Sequence, residues 1–180
     1  ALLAENLIDM VSLMDHTPGQ GQYANLERYV DFMVKWLGIP REMLEEQAKG
    51  KMVERMQEVA EMERDWTVAA EVCRLARQYQ IPIASHDDDT IEKVSQMHEL
   101  GVTISEFPVT IEAAQYARQY GMHTIMGAPN GYRGESNTGN LSALDAIKSG
   151  NTDILASDYH PAAMLQAAFK LARDGVLPLH

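Results

Sequence analysis

From residue 81 onward, short apolar runs alternate with longer segments of helical spacing, and this alternation limits the fold more than any other feature. Residues 81–85, 102–107, 123–126 and 153–156 read as strands. Helical spacing fills residues 90–100, 111–120 and 161–173, and a short helix capped by Asn140 ends before Gly150. Gly101 and Gly121 close the first two helices, and Pro161 opens the last. A further short run, Val11-Ser12-Leu13-Met14, precedes them. Strands that alternate with helices make right-handed crossovers, so the pattern predicts an α/β fold with a parallel sheet of about five strands. Residues 41–80 carry an apolar stripe with a charged, solvated face, which predicts a long helical insertion after the first strand.

In a parallel sheet the carboxyl ends of the strands form the functional edge. Three strand ends here carry metal-type donors: Asp15-His16, Ser85-His86-Asp87-Asp88-Asp89 and Ser157-Asp158. A catalytic zinc site takes imidazole nitrogens and carboxylate oxygens and leaves one position for water. His16, His86 and Asp158 are therefore the candidate metal ligands, and Asp158 is also a candidate proton acceptor. Asp87 or Asp88 is expected to orient His86 from behind, as metal-bound histidines require. Asp89, in the capping-box spacing Asp89-Thr90-Ile91-Glu92, is expected to cap the following helix.

Candidate substrate contacts lie on the same edge. Residues 127–139 read as a glycine-rich loop whose backbone N–H groups approach an anion, with Asn130 inside it and Arg133 placed to pair with phosphate. Gln20, in the loop of residues 17–21, and His160, just past Asp158, are the other candidates. His98, His123 and His180 read as surface or structural residues.

Composition narrows the partners. A net charge of -11 argues against nucleic acid, but a bound metal can invert local charge and admit a phosphorylated small molecule. No apolar run approaches the roughly 20 residues needed to span a bilayer, and no signal pattern is present, so a cytoplasmic protein without a membrane partner is expected. The one cysteine, Cys73, falls in a helical stripe and reads as core. Residues 1–180 are expected to form a single domain.

Several motifs resemble one family. Met14-Asp15-His16-Thr17-Pro18-Gly19-Gln20, Ser85-His86-Asp87-Asp88-Asp89-Thr90, Glu106-Phe107-Pro108, Gly127-Ala128-Pro129-Asn130 and Ser157-Asp158-Tyr159 are similar, in order, to the alpha-D-ribose 1-methylphosphonate 5-triphosphate diphosphatases of the carbon–phosphorus lyase pathway, within the amidohydrolase superfamily. The resemblance implies a TIM-like (β/α) barrel, of which this chain is the C-terminal part. It implies that His16 and His86 follow the fifth and sixth barrel strands and bind one or two divalent ions, zinc by preference. Asp158, after the eighth strand, would coordinate metal and act as general base. The implied reaction is hydrolysis of a ribose 5-triphosphate phosphonate to its 5-phosphate and pyrophosphate.

The departures are as specific. The superfamily's His-x-His and its bridging carboxylate or modified lysine have no counterpart upstream of His16, and no sandwich strands follow residue 175. Asn137 stands where the family loop carries a His. The chain is accordingly expected to be a fragment, inactive by itself, that pairs with a second copy to cover its open sheet edges. Two alternatives share the same residues: an amidohydrolase acting on a cyclic amide or N-acetyl C–N bond, and a catalytically silent structural domain.

Overall fold

Five strands form one parallel sheet: β1 (Val11–Leu13), β2 (Ile83–His86), β3 (Ile104–Glu106), β4 (His123–Gly127) and β5 (Ile154–Ala156). This is a computed structural model, and it describes residues 5, 7–16, 21–23, 31, 34–35, 38, 40–43, 58–59, 62, 65–136 and 138–179. A 3-10 turn spans Gly21–Tyr23, and from residue 65 onward six α-helices follow: α1 (Thr67–Gln78), α2 (Ile91–Glu99), α3 (Ile111–Gln119), α4 (Ala128–Arg133), α5 (Ala143–Lys148) and α6 (Ala163–Arg173). The sheet is the parallel α/β sheet that the alternation predicts. The long insertion expected after the first strand lies outside the described residues up to residue 64, apart from a few isolated positions.

Strand order follows chain order without a reversal. A doubly wound sheet reverses at its switch point, whereas a sheet wound one way keeps its helices on one face and curls as a barrel does. Alternation along the strands then decides which side chains meet the helices. Ile83 packs with Cys73 and Ala76 of α1, Val94 and Met97 of α2, and Ala113 and Ala117 of α3. Burying a side chain such as Ile83 or Met97 stabilises by about 1.5–3 kcal/mol each, and the alanines let the helices lie close. Smaller clusters continue the core: Met126 against Ala143 and Ala146 of α5, and Ala128 of α4 against Ala163 and Ala167 of α6.

The opposite face carries the row His86, Glu106, Ile125 and Ile154, each in register with the next. In a parallel pair, residues in register point to the same side. His86 and Glu106 are thereby neighbours on the face away from the helices.

Local chemistry corrects three expectations. Thr90, not Asp89, caps α2: its side chain accepts a hydrogen bond from Lys93 N at 3.1 Å, while Asp89 reaches away to accept one from Gly21 N. Ser142, not Asn140, caps α5, because its hydroxyl reaches Leu144 N and Asp145 N and Asn140 instead donates to Gln22 O. The expected loop over residues 127–139 begins as a helix. Pro129 sits in the first turn of α4, where its missing N–H costs nothing, and Gly134, at φ 86°, ends it. Among the described residues, no helix is long and apolar enough to cross a membrane.

Candidate metal centre

β1 and β2 lie side by side, so residues just past their ends meet. His16 follows β1 by three residues, His86 ends β2, and Asp87 comes next. One ligand atom from each of these three side chains lies within 4.8 Å of the others. Asp87 Oδ2 is 3.4 Å from His16 Nε2 and 3.6 Å from His86 Nε2, and the two rings stand 5.3 Å apart.

The backbone is bent to make this possible. Asp87, Phe107 and Asp158 all adopt left-handed φ, at 51°, 55° and 51°. Each lies one or two residues past a strand end. Such a conformation costs a non-glycine residue about 1–3 kcal/mol and is held only where its surroundings impose it. Here the ladder continues past the strand: Asp87 N donates to Glu106 O and Phe107 N to Ile125 O, both at 2.9 Å. From beneath, Lys93 Nζ donates to His86 O at 2.7 Å and Asp87 O at 3.1 Å. Lys93 is a buried cation, 3.7 Å from Asp88 Oδ1. Asp88 is wholly buried, and its Oδ2 accepts from Ser85 and Ser105, each at 2.5 Å.

The charges at the rim are perturbed in a consistent way. Burial, with the neighbouring His86 charge, holds His16 below its ordinary value and favours the neutral imidazole that a metal needs. Burial pushes the Asp87 carboxyl up to about 6, against the pull of His86 and Lys93. For His86, burial acts downward, but the Glu106 hydrogen bond and the Asp87 charge outweigh it and leave the imidazole above its ordinary value. Burial raises the Glu106 carboxyl, and hydrogen bonds from His86 and Ser12 more than offset this, so it ends below its ordinary value. Asp158 is raised by burial, with the Tyr159 N–H and the Arg133 charge opposing.

The donor set fits a divalent cation. Two imidazole nitrogens and one carboxylate oxygen are what zinc takes, and water can fill the fourth position. Asp87 Oδ2 is buried without a hydrogen-bond partner among the described residues. A buried carboxylate oxygen left so is costly, and a cation between it and the two rings satisfies it.

Around this group lies a cavity of about 720 Å³. Asp158, Asn130 and Arg133 line it together with the three donors. Asp158 stands outside the group of three, its Oδ2 close against Gly127. Arg133 donates to the Tyr159 hydroxyl at 2.6 Å. Asn130 lines the wall, but its amide is engaged by the backbone: Nδ2 donates to Leu141 O and Oδ1 accepts from Ala143 N. His160 is exposed and is not part of the cavity lining; its backbone closes the turn between Ser157 and Ala163. Gln20 and Asn137 lie outside the described residues.

Of the two acids expected behind His86, Asp88 turns to the serines and Asp87 joins the ligand atoms. The carboxylate that meets His86 Nδ1 is instead Glu106, at 2.8 Å. Aligning β2 and β3 by Ser85 and Ser105, which are partners in register, puts His86 opposite Glu106 and is the signal that finds it.

Fold and rim together define a class: a one-way-wound parallel α/β sheet with a nitrogen and oxygen donor set at the carboxyl edge, the layout of a barrel-type metal centre. The chain is also similar in sequence to a curated protein. It is 39% identical over 175 residues to the alpha-D-ribose 1-methylphosphonate 5-triphosphate diphosphatase of Escherichia coli (strain K12), over 96% of this chain and 44% of that protein. The chain thus spans less than half the length of the curated relative it matches. No protein-family model matches it, and no solved structure does.

Proposed function

We propose that this chain supplies part of the catalytic centre of a metal-dependent hydrolase that cleaves a ribose 5-triphosphate phosphonate to its 5-phosphate and pyrophosphate. The observation that carries the reading is the convergence of His16 Nε2, His86 Nε2 and Asp87 Oδ2, which accepts no hydrogen bond among the described residues, at the sheet edge. The likeness to the E. coli enzyme supplies the substrate class. A divalent cation held there by His16, His86 and Asp87, zinc by the chemistry of these donors, would supply Lewis acidity and lower the pKa of water.

The chain's own residues do the rest. Asp158, across the cavity and raised by burial, takes the proton of the attacking water. Arg133, steadied by Tyr159, pairs with a phosphate oxygen and draws the triphosphate into line. Lys93 and the left-handed turn hold Asp87 against the two rings. Phe107, edge-on to His86, keeps water from that side of the ring. Asn130 contributes to the cavity wall, and Gln20 is assigned to substrate binding from the sequence alone.

A cytoplasmic setting goes with this reading, since the only cysteine is a free, buried thiol. So does self-association. Among the described residues, β1 and β5 pair on one side only, and Leu165 and Phe169 of α6 are exposed. Light scattering at micromolar concentration is expected to show a dimer, and a monodisperse monomer contradicts it.

The test of function is a chimera in which this chain replaces the matched span of the E. coli relative. It is expected to release pyrophosphate from the triphosphate only with divalent metal, and His86→Ala to abolish release. This chain alone is expected to bind zinc and release none. A chimera that folds and binds zinc but leaves the triphosphate intact refutes the reading.

A further inference from the structure

Glu106 ends β3 and is not one of the three converging donors, yet its carboxylate links two other strands. Its Oε2 accepts a hydrogen bond from Ser12 Oγ of β1 at 2.6 Å and meets His86 Nδ1 of β2 at 2.8 Å. Ser12 reaches Glu106 across β2, the strand that lies between β1 and β3. All three residues are at least partly buried, so water competes weakly for these contacts.

We propose that Glu106, steadied by Ser12, is a positioning residue that fixes His86 as its Nδ1–H tautomer and so presents the Nε2 lone pair to His16 and Asp87. A carboxylate only accepts hydrogen bonds, so at 2.8 Å the proton between the two groups belongs to Nδ1. A neutral imidazole carries one N–H, which leaves Nε2 as the acceptor. On the other side of the ring, Asp87 Oδ2 lies 3.6 Å from Nε2, beyond hydrogen-bond reach, and does not compete for the proton. The ring is thus set before any cation arrives. That last consequence rests on the metal-centre reading; the tautomer is a property of the metal-free chain.

The experiment is long-range 1H–15N correlation NMR on the metal-free, 15N-labelled chain, about two pH units above the ordinary imidazole pKa. His86 is expected to show a protonated Nδ1 and an unprotonated Nε2. Glu106→Ala is expected to shift the ring toward the Nε2–H form. Glu106→Gln, which keeps an acceptor oxygen, is expected to retain Nδ1–H, and Ser12→Ala to move a smaller share. In parallel, zinc affinity measured against a chromophoric chelator is expected to fall about ten- to hundredfold in Glu106→Ala.

An Nε2–H signal from His86 in the unsubstituted chain overturns the proposal, and that spectrum decides even if Glu106→Ala does not fold. A folded Glu106→Ala with unchanged tautomer and unchanged zinc affinity also overturns it. If the unsubstituted chain binds no zinc, the metal-centre reading fails while an Nδ1–H signal still upholds the role of Glu106.

Discussion

Replacing Lys93 by methionine probes how the loop that carries Asp87 is held. The ammonium is buried and donates to two successive carbonyls, His86 O and Asp87 O, with Asp88 Oδ1 3.7 Å away. Methionine fills much of the same volume, so the cavity contribution is small. What is lost is electrostatic. Two carbonyl oxygens lose their charged donor, and Asp88 loses the cation 3.7 Å away. A hydrogen bond from a charged donor contributes about 1.5–3 kcal/mol, but both bonds share one ammonium and do not add fully. Breaking a buried ion pair from one side costs about 3–5 kcal/mol, and that is the expected loss. In urea it corresponds to a midpoint lower by roughly 1–2 M. Zinc affinity is expected to fall with it, because the left-handed Asp87 is freed to relax. Adding Asp88→Asn to Lys93→Met is expected to restore part of the stability, since both charges then leave together. A midpoint within about 0.3 M of the original refutes the reasoning, because the loop then does not depend on the lysine.

Other expectations follow from the same geometry. The Asp87 carboxyl, at about 6 in the folded chain against 3.8 ordinarily, is protonated more readily folded than unfolded. Ionising it opposes folding by about 3 kcal/mol, a penalty absent below the unfolded value and complete above about pH 6. Urea melts of the metal-free chain should therefore find Asp87→Asn more stable at about pH 7.5, with the advantage gone near pH 4; no gain at the higher pH contradicts the shift. Asp158→Asn in the chimera is expected to keep zinc affinity within a few-fold and lower turnover by about 10²–10⁴, which a chelator titration beside a pyrophosphate assay resolves. Arg133→Ala is expected to raise KM about tenfold or more for the triphosphate, and an unchanged KM removes Arg133 from substrate binding.

Much of the fold was legible because the hydrophobic period changes so cleanly after residue 81. All five strands, the short Val11–Leu13 among them, and most of the helices between them follow from apolar spacing and from glycines that must turn left-handed, such as Gly101 at φ 82°. Helix α4 was not legible, because glycine and proline read as loop residues until the chain pairs Gly134 N with Asn130 O. His16 and His86 were visible as donors at strand ends. Which of Asp87, Asp88 and Asp89 faces the rings was not, because a left-handed φ at Asp87 reverses the alternation, and no pattern of residue types announces it. Glu106 was hidden for a related reason: its role comes from register with a strand twenty residues earlier, and register belongs to the sheet. The same holds for Lys93: its ammonium lies buried under the loop, and a single lysine within a helix does not announce that.

The most direct measurement is anomalous X-ray diffraction at the zinc edge from crystals of this chain grown with zinc. One strong peak is expected at about 2.0–2.2 Å from His16 Nε2, His86 Nε2 and Asp87 Oδ2 together. A peak held elsewhere, or none at the strand ends when zinc is in excess, contradicts the account.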